Sequence, residues 1–357
     1  MQTLSIRCGA TALATLKRDG LQASAVETVP AAAGGPKGLA LHGLDCAIFG
    51  QWLAQQPLPR QLIGASVGAW RMAAAAQADP IAALIRLADF YCEQRYSNKP
   101  SATEVSEFCQ RLVAHIVGGH EAEILGAPNY RLNILTVRGK KLLAKGGSLG
   151  TPVGFAVAAG FNAVARRHLR HWLDRVWFYD ARDKSKLLPL HDFHTDEVAL
   201  SAQNLHAALL ASGSIPLVLN PVLDISGAPR GNYWDGGIID YHLHLPYERT
   251  SGLVLYPHFT DHIVPGWLDK FHPARRAAGV ALENLILISP SKEFIATLPN
   301  RKLPDRSDFK RYGSKRQEER IHDWRFTVGE SQRMGEEFLA IVENGEIVKR
   351  ARLISNV

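Results

Sequence analysis

The sequence predicts an α/β fold with a largely parallel sheet and helices on both faces. Three observations lead there. Short apolar runs alternate with longer helical stretches through most of the 357 residues. The composition, 46% hydrophobic and 21% charged, is that of a globular chain with material for a large core. Lastly, Gly64-Ala65-Ser66-Val67-Gly68 lies between the apolar pair Leu62-Ile63 and an alanine-rich stretch, the strand–turn–helix context of a nucleophile elbow.

The elements follow in order. Residues 11–17 read as a short helix ended by Gly20. Residues 25–33 read as a strand, and Pro30, which lacks an N–H, should leave its pairing incomplete. Gly34-Gly35-Pro36-Lys37-Gly38 comes next, then a helix over about 39–55. Leu41, Leu44, Ile48 and Trp52 mark one stripe of that helix, with Cys46, Phe49 and Leu53 beside it, so it should be buried. Pro57 and Pro59 end it before the strand that leads to Ser66. Helices are expected over 70–77, over 80–91 with Pro80 at its first position, and over 101–117. Residues 131–137 read as a strand, 153–172 as a helix and 175–179 as a strand. Thr195 is placed to cap a helix over about 196–211. Late strands are expected at 252–256 and 284–288. Residues 301–325 are charged, mostly basic and poor in apolar side chains, which predicts a solvated loop or mobile cover. A helix over roughly 325–342 closes the chain.

Lys and Arg exceed Asp and Glu by 41 − 34 = 7. This mild basic excess favours anionic surfaces without selecting one. Cys8, Cys46, Cys92 and Cys109 are scattered, which argues against a disulfide framework or a structural zinc site and fits a reducing, cytoplasmic compartment. Residues 1–20 hold no continuous apolar run of the secretory kind, and residues 153–165 are too short to span a bilayer. The expectation is a soluble protein, peripheral to a membrane at most.

Ser66 needs a strained turn to present its hydroxyl, and a side chain at Gly64 or Gly68 would collide with a neighbouring strand or helix. The 34–38 turn sits at a strand-to-helix junction. Free N–H groups there suit an anion, and its spacing is not that of a nucleotide-binding loop. The N–H groups of Gly34, Gly35 or Lys37 could serve as an oxyanion hole for acyl transfer; Pro36 has none to give. Asp235-Gly236-Gly237 puts a carboxylate on a tight loop. Ala211-Ser212-Gly213-Ser214-Ile215-Pro216 reads as a helix end running into an ordered loop without an obvious catalytic group.

These four stretches, which follow one another along the chain as 34–38, 64–68, 211–216 and 235–237, resemble the patatin-like phospholipase family over about residues 33–246. The resemblance implies a three-layer α/β/α sandwich with a mostly parallel central sheet. It implies Ser66 as nucleophile, Asp235 as base in a Ser-Asp dyad, and Gly34 and Gly35 in the oxyanion hole, with Lys37 where the family often has arginine or lysine. The implied substrates are phospholipids and other acyl esters, with no metal and no cofactor. Ala33 stands where many members have a third glycine, and Asp240 where asparagine is common. Residues 1–250 are expected to form the catalytic core, and 251–357 to complete the same domain. An aspartate base must be poorly hydrated to gain basicity.

Two alternatives stay open. One is a triad esterase using His242, His244, His258 or His262. The other is a non-catalytic lipid- or partner-binding protein on the same fold. A nucleic-acid partner is not expected, since a solvated helix face explains Arg166, Arg167, His168, Arg170 and His171. Weak, salt-sensitive contact with anionic lipid is expected, through 301–325 or 166–171.

Overall fold

The computed structural model describes residues 2–145 and 150–354. Its strands are β1 (Leu4–Cys8), β2 (Val26–Ala31), β3 (Arg60–Ala65), β4 (Tyr130–Gly139), β5 (Leu173–Tyr179), β6 (Thr195–Ala199), β7 (Val222–Leu223), β8 (Asn232–Asp235), β9 (Leu253–Pro257), β10 (Leu285–Pro290) and β11 (Arg352–Leu353). The main order across the sheet is β11-β1-β10-β9-β2-β3-β4-β5-β6. The five central strands, β10, β9, β2, β3 and β4, are mutually parallel. Antiparallel pairs flank them, β1 with β10 and β4 with β5. Every residue of β3, β9 and β10 is buried, as it must be when helices cover both faces. The architecture is the α/β/α sandwich that the alternating pattern predicts.

One detail of the register decides where the site lies. β3 pairs with the first part of β4 and stops with Ala65 opposite Leu135. β8 pairs with β4 from Thr136 to Arg138, antiparallel, with Asp235 opposite Thr136. The far side of β4 over this stretch is taken by β5. β3 and β8 therefore run end to end along the same side of β4. The residue after Ala65 and the last residue of β8 meet head-on, and those are Ser66 and Asp235.

Pro30 does sit within β2, and the pairing of that strand with β9 involves only Val26 and Thr28, in line with incomplete pairing. The buried helix after the glycine turn is one irregular run of 3-10, α and π turns from Gly35 to Gln55. Helices also appear where expected at Val67–Ala75, Pro80–Cys92 and Ala102–Val117, the last capped by Ser101. All four cysteines are buried and free.

Three expectations need correction. Thr195 does not cap a helix over 196–211; Thr195–Ala199 is β6, and the helix is Leu205–Ser212. Parallel pairing with β5 outweighs the capping tendency, because it buries Val198 and brings the Thr195 hydroxyl to Arg175. Residues 301–325 are not a loop. They hold the helix Ser307–Tyr312 and most of Gln317–Glu330. Few apolar side chains suffice there because they are large and buried: Tyr312, Ile321 and Trp324, with the Arg320 guanidinium stacked 4.6 Å from Phe309 and 4.4 Å from Trp324. The closing helix over 325–342 is in fact split between Gln317–Glu330 and Gln332–Glu343, and a short strand follows. At the junction the Ser331 hydroxyl accepts from the Gly43 N–H at 2.8 Å, locking the C-terminal helices onto His42–Ala47. The 251–357 segment also supplies β9 and β10, inserted between β2 and β1.

Candidate active site

Ser66 leaves β3 with φ 56 and ψ −133 and opens the helix Val67–Ala75. A non-glycine residue rarely adopts that conformation, and here the surroundings impose it. The two flanking glycines explain how. A Cβ at Gly64 would lie 2.4 Å from Ala69 Cα in the following helix, and one at Gly68 would lie 2.0 Å from the Ala31 carbonyl oxygen in β2. The strand and helix can approach this closely only without those side chains. A third constraint comes from Ser212, which is fully buried. Its hydroxyl accepts from the Ser66 N–H at 2.8 Å and donates to the Leu135 carbonyl at 2.7 Å, tying the turn to β4.

The Ser66 hydroxyl donates to Asp235 Oδ2 at 2.8 Å. The other carboxylate oxygen accepts from the Gly237 N–H at 2.7 Å, so the Asp-Gly-Gly loop orients its own carboxylate. The Asp235 N–H donates to the Ser214 carbonyl at 2.9 Å. Burial raises the Asp235 carboxyl above the ordinary carboxylate range, and Arg306, the Ser66 hydroxyl, the Gly237 N–H and Lys270 offset this only in part. A poorly hydrated carboxylate in contact with a hydroxyl is a stronger base than one in water. The next loop is braced separately, by the buried Arg175–Asp240 pair at 2.7 Å and 2.8 Å.

The 34–38 turn closes one side. Gly35 has φ 56, in the left-handed region that favours glycine. Neither the Gly34 nor the Gly35 N–H has a hydrogen-bond partner among the described residues. Gly35 and Ser66 line one cavity of about 320 Å³, whose walls include Trp70, Tyr91, Leu112, Leu219 and Phe309. Gly34, Lys37 and Asp235 line a second of about 390 Å³, with Lys270 and Arg306. Arg306 and Ile215 border both, so the two cavities adjoin at the Ser66–Asp235 pair.

No histidine hydrogen-bonds to Ser66 or Asp235 among the described residues. His242 and His258 are buried rather than on the surface. Each accepts a backbone N–H at Nδ1, from Val264 at 3.1 Å and Thr260 at 2.9 Å, and the described residues offer Nε2 no partner. Burial holds His242 well below its usual pKa and lowers His258 to about 3, so both are neutral imidazoles. His244 is likewise lowered by burial. His262 pairs with Asp261 at 3.1 Å. One group of potential metal ligands occurs among the described residues, Asp174, His194 and Asp196, with ligand atoms within 4.8 Å of one another. Arg138 bridges both carboxylates at 3.0 Å and 3.1 Å and Lys140 adds to Asp174 at 2.8 Å, so that charge is already balanced by the chain itself.

The structure thus brings Ser66, Asp235, Gly34, Gly35 and Lys37 to one place. Sequence reasoning missed Ser212, although the Ala-Ser-Gly-Ser-Ile-Pro stretch signalled an ordered loop, and it missed Lys270. It treated Arg306 only as part of a basic run.

No family model matches the sequence, and no curated protein matches it. Among solved structures, human GIVD cytosolic phospholipase A2 is similar at a TM-score of 0.32 with 12% sequence identity, over 95% of this chain and 63% of that one. The chain therefore spans less than two thirds of that protein's length.

Proposed function

We propose that the protein is a serine hydrolase of carboxylic esters, a lipid acyl hydrolase of the patatin-like kind. The observation that carries this reading is the 2.8 Å hydrogen bond from the Ser66 hydroxyl to a buried carboxylate, at a residue held at positive φ. In the proposed reaction Ser66 Oγ attacks the ester carbonyl carbon and its proton passes to Asp235. The developing oxyanion is met by the free N–H groups of Gly34 and Gly35, each worth about 3 kcal/mol of transition-state stabilisation. The tetrahedral species collapses, the C–O bond to the alcohol breaks, and the leaving oxygen takes the proton from Asp235. Water then attacks the acyl-enzyme, giving its proton to Asp235, and the free acid leaves as Ser66 regains a proton. The apolar cavity beside Ser66 suits an acyl chain.

Contact with an anionic lipid surface belongs to the same proposal, with its location revised. Lys302 and Arg316 are ion-paired within the folded 301–325 segment, Arg325 pairs with Glu93, and Arg166 turns inward to Asp192, Asp269 and the Ile239 carbonyl. Better anchors are Phe271, 85% exposed and lining the Asp235 cavity, and Leu217, 61% exposed between Pro216 and Val218, which line the two cavities. No helix among the described residues is long and apolar enough to cross a membrane.

The test is hydrolysis of short-chain and long-chain acyl esters and phospholipids by the protein and by Ser66→Ala. The reading expects release of free acid by the parent and none above background by the variant. Turnover of no ester, or full turnover by Ser66→Ala, would remove it.

A further inference from the structure

We propose that the buried pair Arg71–Asp45 positions the oxyanion turn against the nucleophile, so that both side chains serve the reaction without touching the substrate. The proposal rests on the ester-hydrolase reading above and concerns two residues to which that reading gives no part.

Arg71 lies on Val67–Ala75, the helix that Ser66 opens, and Asp45 lies on His42–Ala47, which continues from the 34–38 turn. The two side chains are 3% and 1% exposed. Arg71 Nε and Nη2 each donate to one carboxylate oxygen of Asp45, both at 2.6 Å, a bidentate fork that fixes direction as well as distance. Among the described residues these are the only side-chain hydrogen bonds between residues 34–47 and the elbow helix. The other ties of the turn run elsewhere: the Ala33 N–H donates to the Tyr241 carbonyl at 2.9 Å, and the Gly43 N–H to the Ser331 hydroxyl at 2.8 Å. Neither Arg71 nor Asp45 lines the cavities beside Ser66 and Asp235. The free space around the pair, lined also by Gly38 and Val67, is about 20 Å³, enough for a water and not for a substrate group.

The turn meets the elbow at Gly38. A Cβ there would lie 3.3 Å from Val67 Cγ2 and 3.4 Å from Arg71 Cδ, so the backbone rests on the residue after the nucleophile and on the stem of the arginine. Apolar contact of this kind lets one element slide over another, whereas a fork of two short bonds does not. The proposed reaction needs the Gly34 and Gly35 N–H groups about 3 Å from the carbonyl oxygen while Ser66 Oγ attacks the carbon. A donor displaced by a fraction of an ångström loses much of its effect. Stability alone does not account for the pair. Apolar side chains of similar volume commonly match or better a buried ion pair in stability, whereas removing one partner leaves a buried charge uncompensated. What the fork supplies and an apolar pair would not is the setting of the oxyanion turn relative to Ser66.

The experiment replaces both partners together, Asp45→Leu with Arg71→Met, and compares the result with Arg71→Lys, which keeps the charge and loses the fork. Each protein is measured for its urea midpoint, its ester hydrolysis and its inhibition by an alkylboronic acid, whose adduct with Ser66 is a tetrahedral anion that needs the same N–H donors. The double variant should keep a urea midpoint close to the parent's. Its kcat should fall roughly 10–100-fold with KM within about twofold, and the boronate inhibition constant should rise roughly in step with the loss of kcat. Arg71→Lys should fall between the two. A folded double variant with the parent's kcat overturns the proposal. So does a loss of kcat at unchanged boronate affinity, since the oxyanion donors would then be in place and the effect merely structural. If the double variant does not fold, Arg71→Lys decides by the same two readouts. Hydrolysis of no ester by the parent would show instead that the hydrolase reading fails, and the proposal with it.

Discussion

Ser212→Ala tests whether the elbow is held from outside or by its own turn. Ser212 takes part in no step of the proposed reaction; it receives the Ser66 N–H at 2.8 Å and binds the Leu135 carbonyl at 2.7 Å from a fully buried position. Alanine removes one hydroxyl and leaves the Ser66 N–H without a partner. The carbonyl suffers less, because it has a second lone pair and its place in the ladder. One orphaned buried N–H costs about 1–3 kcal/mol, which is the expected loss of stability in urea denaturation. The kinetic effect should be larger than that loss implies. Ser66 sits at φ 56, a conformation that persists only when its surroundings over-determine it. Relaxation by a fraction of an ångström would lengthen the 2.8 Å contact with Asp235. A roughly 10–100-fold fall in kcat is expected, with KM little changed, since the cavities are untouched. A Ser212→Ala protein within about 0.5 kcal/mol of the parent and of equal kcat would refute the argument.

Asp235→Asn should lower ester hydrolysis by about 10²–10⁴-fold, whereas alanine at His242, His244, His258 or His262 should cost far less; a folded histidine variant as inactive as Asp235→Asn would restore the triad. The sign of the pH effects follows from burial, which raises the Asp235 pKa in the folded protein. The stabilising contribution of the neutral form is present below the unfolded value of about 3.9 and is lost as pH rises through the folded value, so Asp235→Asn should exceed the parent in stability at neutral pH and approach it in acid. Activity, which needs the ionised form, should rise with pH through an apparent pKa above the ordinary aspartate value; a profile flat with pH would contradict the assignment. Phe271→Ala should weaken co-sedimentation with anionic vesicles about tenfold, with binding of the parent reduced at high salt; equal, salt-independent binding to anionic and zwitterionic vesicles, or none, would count against membrane contact at this rim.

Much of this fold is legible in the sequence because its signals are local. Leu62-Ile63 before Gly64 and the alanine-rich run after Gly68 specify strand, turn and helix without reference to the rest of the chain. Pro80 marks a helix start by its fixed backbone and Ser101 by its hydroxyl, which accepts the Glu104 N–H. The failures are tertiary. β6 exists because β5 offers it a parallel edge, a fact that Thr195 and its neighbours do not carry. The 301–325 helices are stabilised by Trp324 and a stacked Arg320, so counting apolar residues underrates them. At the site, each member of the Ser66–Asp235 pair is visible as a motif, but their meeting depends on β3 and β8 sharing one side of β4, which only the register reveals. Lys270 is beyond sequence reasoning for the same reason. It lies 204 residues from Ser66 (270 − 66) on a short turn with no motif, and only the folded chain brings it to the cavity that contains Asp235.

The central claim is that Ser66 is a nucleophile activated by Asp235, and covalent labelling tests it most directly. The protein is treated with a fluorophosphonate, digested, and the modified peptide mapped by mass spectrometry, beside Ser66→Ala and Asp235→Asn. The account predicts a single adduct on Ser66, none on the Ser66→Ala protein, and labelling of Asp235→Asn slowed by about 10²-fold or more. An adduct on another serine, or none on an intact and folded parent, would contradict it.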